Sequence, residues 1–341
     1  MNPNQTKTKP VIICYAIFLM LAGLLAGCAH TPGQPVAVIP SPVLISWPAD
    51  KPFSPSELPG NGLAQRDFFY AGEAHAERMF IVRDGKVVWS YTHPAEGEIS
   101  DATLLPNGNV LFAHQHGVTE INADKQVIWN YDAPANTEIH TVQSLGKNRL
   151  FFIQNGNPAR LIFFNKVSGK TERELVLPVG STNSIHGQFR HARLTTAGTL
   201  LVAHQDLGKA VEYDMTGKAL WSLDVPGAWS ASLLKNGNVL VASYKNFVRE
   251  FNRRGEVVWE WIPADAPDYK IFNLQLATRL PNGNTLINNW VNEWSDKIDP
   301  TNAPVQALEV TPDKKVVWVL RSWSEPANLG PATTIQILNS R

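Results

Sequence analysis

Leu105-Pro106-Asn107-Gly108-Asn109-Val110-Leu111 is a tight turn held between two apolar runs, and the chain repeats it at Leu280-Pro281-Asn282-Gly283-Asn284-Thr285-Leu286 and at Leu234-Lys235-Asn236-Gly237-Asn238-Val239-Leu240. Weaker copies stand at Thr195-Thr196-Ala197-Gly198-Thr199-Leu200 and Leu145-Gly146-Lys147-Asn148-Arg149-Leu150. Asn-Gly between alternating apolar runs marks a β-hairpin, because both turn residues must tolerate positive φ. A second element follows each copy: a turn such as Asp84-Gly85, Asp124-Lys125, Thr216-Gly217, Arg254-Gly255 or Asp313-Lys314 leads into Trp89, Trp129, Trp221, Trp259 and Trp318 respectively. One unit departs from the pattern, since Gly169-Lys170 leads to Arg173-Glu174-Leu175 with no tryptophan.

The period is about forty residues, that of a four-stranded propeller blade. In the second unit the strands, a to d, are expected near residues 101–105, 110–116, 118–122 and 126–131. A sheet this small cannot bury both faces, so the units stack radially with the tryptophans as wedges. Five complete units lie between Ser100 and Trp318. The first unit, 67–91, has strands b, c and d but no a, and the last segment, 331–338, is a lone strand. These deficits complement each other. The expected fold is an all-β, six-bladed β-propeller in which residues 332–336 supply strand a of the first blade and close the ring, removing the exposed sheet edges.

Lys7 and Lys9 precede an apolar run from Val11 to Ala26 that ends in Leu25-Ala26-Gly27-Cys28. A charged start, a short apolar stretch and small residues before a cut site describe a secretory signal. The tetrapeptide resembles a bacterial lipobox, which implies cleavage after residue 27 and lipidation of Cys28. Ala29 stands where an aspartate would resemble an inner-membrane retention signal, so the expected destination is the periplasmic face of the outer membrane. Residues 28–62, rich in proline, read as an extended tether of about 3 Å per residue, and 63–341 as the propeller. The chain has two cysteines, Cys14 and Cys28, so no disulfide is expected to staple the propeller.

Thirty basic side chains balance thirty acidic ones. No basic stripe suits nucleic acid, and no P-loop or dinucleotide fingerprint occurs. In an up-and-down blade the a–b and c–d turns share one face, and the b–c loops and d–a crossovers share the other. The histidines are placed at or near the crossover face: His75 and His116 close strand b of the first two blades, His114 and His204 are equivalent on strand b, and His186 lies in a crossover. His140 and His191 are read as equivalent to one another at the start of strand a, where the second blade has Asp101 and the fifth Ser230. Such histidines serve equally as loop residues bonded to backbone, and no array shows zinc spacing; no metal is expected. Trp229, Trp290 and Trp294 add aromatic surface there, suited to a glycan, a small aromatic ligand or a loop anchor.

The repeated strings, including Leu280-Pro281-Asn282-Gly283-Asn284 and Arg254-Gly255-Glu256-Val257-Val258-Trp259, resemble the blades of the quinoprotein-like (PQQ-like repeat) propellers, and among these the bacterial arylsulfotransferase type more than the alcohol dehydrogenases. That resemblance implies sulfuryl transfer through a channel histidine, for which His140, His186, Arg190 and His191 are the candidates. The assembly-factor lipoproteins of the outer-membrane barrel machinery are also similar in anchor and repeat type, although they resemble an eight-bladed ring. Quinone dehydrogenases use eight blades and usually a vicinal cysteine pair, so no PQQ cofactor is expected. Two readings follow: a lipid-anchored module that binds a glycan, aromatic or envelope protein partner, and a histidine-dependent transferase, hydrolase or lyase.

Overall fold

A computed structural model describes residues 59–60, 62–73, 78–94, 97–291, 298–299 and 302–338. Twenty-four strands form six antiparallel sheets of four. Blades two to six take their strands consecutively from the chain: their innermost a strands are Ile99–Leu104, Glu138–Ser144, Phe189–Leu194, Ala228–Leu233 and Asn273–Arg279. Blade one joins both ends of the propeller. Its b, c and d strands are Phe68–Gly72, Arg78–Arg83 and Lys86–Thr92, and its a strand is Ala332–Ile337, with Phe69 opposite Gln336 and Tyr70 opposite Ile335. The expected closure is thus present. The signal segment, Cys28 and the tether up to residue 58 lie outside the described residues, as do His75 and Trp294. Among the described residues no helix is long and apolar enough to cross a membrane.

The core is divided among the blade interfaces. Six apolar clusters lie one between each adjacent pair, such as Leu111, Ile139 and Phe152 between blades two and three, and Phe68, Leu286 and Trp318 between blades six and one. The d-strand tryptophans serve as the expected wedges; Trp129 packs on Phe164 of blade three, and three others donate into the next blade: Trp89 to the Ala123 carbonyl (2.9 Å), Trp221 to Arg253 (3.1 Å) and Trp259 to Pro312 (2.8 Å). Trp318 closes the circle by donating to Gly62 (3.1 Å). Gly62 has φ +74°, and a Cβ there would meet the indole nitrogen at 2.3 Å, so the closing contact requires glycine. In blade three, Arg173 occupies the tryptophan's place in the ladder and its Nη1 reaches the Met215 carbonyl of blade four (2.6 Å). The departure in the repeat keeps the bond and replaces the ring.

The recurring asparagines have a second task besides making turns. Glu120, Glu212, Glu250 and Glu309 lie opposite the tryptophans of their blades on strand c. Asn109 donates to Glu120 (2.7 Å), Asn236 and Asn238 to Glu250 (3.0 and 2.6 Å), and Asn282 and Asn284 to Glu309 (3.1 and 2.7 Å). Each carboxylate also takes a cation from beyond its own blade: Lys166 on Glu120, Arg253 on Glu212, Arg279 on Glu250 and Arg66 on Glu309. A buried carboxylate is tolerated only when paired and hydrogen-bonded, and these clasps supply both on the turn face.

Candidate functional site at the channel mouth

Every innermost strand carries a β-bulge near its start. In blade two the register steps from Ile99–His114 to Asp101–Ala113 and leaves Ser100 as the extra residue. The same step leaves His140, Arg190 and Trp229 extra in blades three to five, and Thr333 in blade one. In blade six Gln275 and Leu276 together oppose a single partner residue. A bulge breaks the two-residue alternation and re-aims a side chain. Ser100, Arg190, Trp229, Gln275 and Thr333 consequently line one small cavity of about 80 Å³ at the crossover end of the channel, joined by Glu73, Glu98, His186 and Trp290.

His140 is the sixth member of the ring and lies sealed beside the cavity, fully buried. Its Nδ1 is crowded by Glu98 Oε1 (2.7 Å), Ser100 Oγ (2.9 Å) and Arg190 Nη1 (3.2 Å), and its Nε2 lies 2.8 Å from Glu138 Oε2. While these partners hold, neither ring nitrogen is open to a ligand. The same Glu138 oxygen lies 2.8 Å from His186 Nδ1, and the two imidazoles meet edge-on at 5.0 Å. Gln115 donates to the other Glu138 oxygen (2.9 Å). Burial alone would raise the pKa of Glu138, but the hydrogen bonds from His140, His186 and Gln115 prevail and hold it well below the usual carboxylate range. At Glu98, burial is likewise overcome by the hydrogen bond from His140 and the charge of Arg190.

His186 sits on a short 3-10 helix, Ile185–Gly187, in the crossover between blades three and four, and its side chain is 53% exposed. An ionised carboxylate is acceptor-only, so Glu138 fixes the proton on Nδ1 and leaves the Nε2 lone pair directed away from it. Arg190 pairs with Glu98 and stacks over Trp229, its guanidinium carbon 4.8 Å from the ring centre. Trp290 donates to Glu73 (2.7 Å) on the opposite wall. Glu98, His140 and His186 each offer a ligand atom, all within 4.8 Å of one another, and form a candidate metal set. Arg190 presses a positive charge against two of those donors, so a cation would enter only as the guanidinium withdraws.

The structure brings His140, His186, Arg190, Trp229 and Trp290 together and places the other described histidines elsewhere. His191 is not equivalent to His140. Register aligns it with Asp101, Thr141 and Ser230, one residue past the bulge, and that single step turns its side chain away from the mouth. It lines a different cavity towards the turn face, so the histidines are not confined to the crossover end. His114 and His204 are buried within their blades, His114 Nε2 3.0 Å from Thr119 Oγ1 and His204 Nε2 2.9 Å from the Tyr213 hydroxyl. Burial pushes their pKa values down, to about 3 and about 4. His116 is exposed, away from the cavity lining.

Glu98 and Glu138 escape a search based on histidines, yet a signal for them exists. Glu98-Ile99-Ser100-Asp101-Ala102, Glu138-Ile139-His140-Thr141-Val142 and Gln188-Phe189-Arg190-His191-Ala192 are one string written three times. In the third copy Gln188 makes only backbone contacts, to Gly156 and Ser181, so the carboxylate pair belongs to blades two and three.

Residues 179–287, about a third of the chain, match a family model described as outer membrane protein assembly factor BamB, of the PQQ-like repeat type. No curated protein matches the chain. Among solved structures it is similar to a protein of unknown function from Bacteroides caccae, with 23% identity, TM-score 0.69, and coverage of 81% of this chain and 100% of that one. A streptogramin B lyase is also similar, with 14% identity, TM-score 0.51, and coverage of 79% of this chain and 86% of that one. So is an inactive histidine-to-alanine variant of virginiamycin B lyase from Staphylococcus aureus, solved with quinupristin, with 14% identity, TM-score 0.50, and coverage of 76% and 85%. At these identities the likeness is one of fold and does not bear on sulfuryl transfer. Blade count and closure agree: the chain is a six-bladed β-propeller, and residues 179–287 of it match the PQQ-like repeat model.

Proposed function

We propose that the channel mouth is the active centre of a histidine-dependent enzyme, a hydrolase, lyase or group transferase acting on a small polar substrate. The observation that carries this reading is the Glu138–His186 pair: a carboxylate holds one ring nitrogen and leaves the other open, beside an arginine and at the edge of a cavity. His186 Nε2 is the base or nucleophile, oriented by Glu138. His140, with both nitrogens committed, is a positioning residue that ties Glu138 to Glu98. Arg190 faces the developing negative charge of the substrate, and Trp229 and Trp290 hold its apolar face.

The test is turnover of a chromogenic panel, 4-nitrophenyl sulfate with a phenol acceptor, 4-nitrophenyl esters and 4-nitrophenyl glycosides, with tryptophan fluorescence read in parallel. His186→Ala and Glu138→Gln are each expected to lower kcat by about 10²–10⁴, the usual contribution of a positioned base. Parent-level turnover by His186→Ala would overturn the reading. The cavity's size, about 80 Å³, favours a second reading, a binding module that grips only the tip of a glycan or aromatic ligand. Saturable fluorescence change without turnover across the panel would select it.

The same proposal places the propeller on the periplasmic leaflet of the outer membrane, tethered through Cys28. The lipobox-like tetrapeptide and the residue after it support this address, and the matched family description concerns outer-membrane assembly. Labelled fatty acid is expected in the parent and absent from Cys28→Ser.

A further inference from the structure

At the turn end of the channel the innermost strands surround a second cavity of about 600 Å³, within the range of small-molecule sites. Its two banks differ. Blades six and one contribute all its leucines and isoleucines, Leu276, Leu280, Leu286, Ile335 and Ile337, beside Thr278, Asn282, Thr334 and Gln336, whereas Thr103, His191, Arg193 and Ser232 come from blades two, four and five. Apolar surface dominates the lining.

No charge in this wall is unbalanced. Arg193 is held in a two-pronged pair by Asp101 (2.9 and 2.8 Å), and Arg66 is paired with Glu309 (2.6 Å). A charged ligand would lose its hydration without finding a counter-ion. His191 is only 7% exposed, and its Nδ1 is shielded from solvent and has no partner among the described residues. Burial and the nearby Arg193 charge keep the ring neutral, so it adds no charge to the wall.

We propose that this cavity binds a neutral small molecule with an apolar body that lies on the leucine and isoleucine side of the wall. The site is separate from the channel-mouth centre and does not depend on how that centre works.

N-phenyl-1-naphthylamine has this chemistry, and its fluorescence rises in apolar surroundings. Titrated into the intact protein, it is expected to bind saturably at one site. Ser232→Trp and Thr278→Trp, which place an indole in the cavity from two different blades, should each weaken binding at least tenfold, and the exposed position of Thr278 keeps that variant informative if Ser232→Trp fails to fold. His186→Ala, at the other end of the channel, should leave it unchanged. The sulfonated analogue 8-anilino-1-naphthalenesulfonate should bind at least tenfold more weakly. Unsaturable fluorescence, equal affinity of both tryptophan variants and the parent, or equal affinity for the sulfonated probe would overturn the proposal.

Discussion

Carboxylates are paired at both ends of this propeller, but in different company. On the turn face Glu120, Glu212, Glu250 and Glu309 recur at one register position, each bonded from its own a–b turn and paired with a cation from beyond its own blade. At the mouth, Glu98 and Glu138 occur in two blades only and are joined through a buried histidine that has no counterpart elsewhere in the ring. Repetition with the same partners is what architecture requires. A repeated position filled differently in each blade is what a site requires.

The largest expected effect tests the closure on which both ends depend. Removing residues 331–341 deletes the innermost strand of blade one and leaves the inner edge of Phe68–Gly72 unpaired. Loss of the cooperative thermal transition is expected in calorimetry, and an unchanged melting temperature would contradict the ring. Next comes a clasp: Glu250→Ala strands Arg279 and two asparagines, at a cost on the order of 3 kcal/mol in urea unfolding. The variant's turnover should match the parent's wherever it remains folded. The mouth should behave in the opposite sense, since His186→Ala, at a half-exposed position, should move stability by no more than about 0.5 kcal/mol while removing activity.

A further comparison separates the histidines by pH. His114 and His204 stay neutral in the folded chain down to about pH 3 and about pH 4, whereas their unfolded counterparts take up protons below about 6.5. The unfolded state therefore binds more protons in that window, and stability falls as pH drops, by about 1.4 kcal/mol per unit for each histidine. His114→Gln and His204→Gln should flatten the slope between pH 6.5 and 4. The mouth carboxylates act lower: their folded pKa values are depressed, so their contribution is complete above the ordinary carboxylate pKa and is lost only in stronger acid.

Blade count, strand order and ring closure were legible because each rests on a local signal repeated many times: Asn-Gly turns, apolar alternation and a missing first strand answered by a spare last one. The mouth was only half legible. His140, His186, Arg190, Trp229 and Trp290 could be placed at one end of the ring from topology, but their orientation could not, because it depends on the bulge. The trace of that bulge is a defect of period. Ile99 and Ala102, Ile139 and Val142, and Phe189 and Ala192 are buried positions three residues apart where a regular strand would space them by two. Reading through the defect paired His140 with His191. The clasps were missed for another reason: the asparagines were already explained as turn formers, so their side-chain amides were left unassigned.

The bulge also separates what may vary from what must stay. Regular pairing resumes on either side of Ser100, His140, Arg190, Trp229 and Thr333, so exchanging one of these side chains leaves the strand register intact. Each blade thus offers the mouth a position whose identity is nearly independent of the scaffold beneath it, like dials on a combination lock. A propeller of this construction could acquire new specificity by single substitutions on separate blades, and in related chains the residue two before the buried apolar position of each a strand is where such differences should collect.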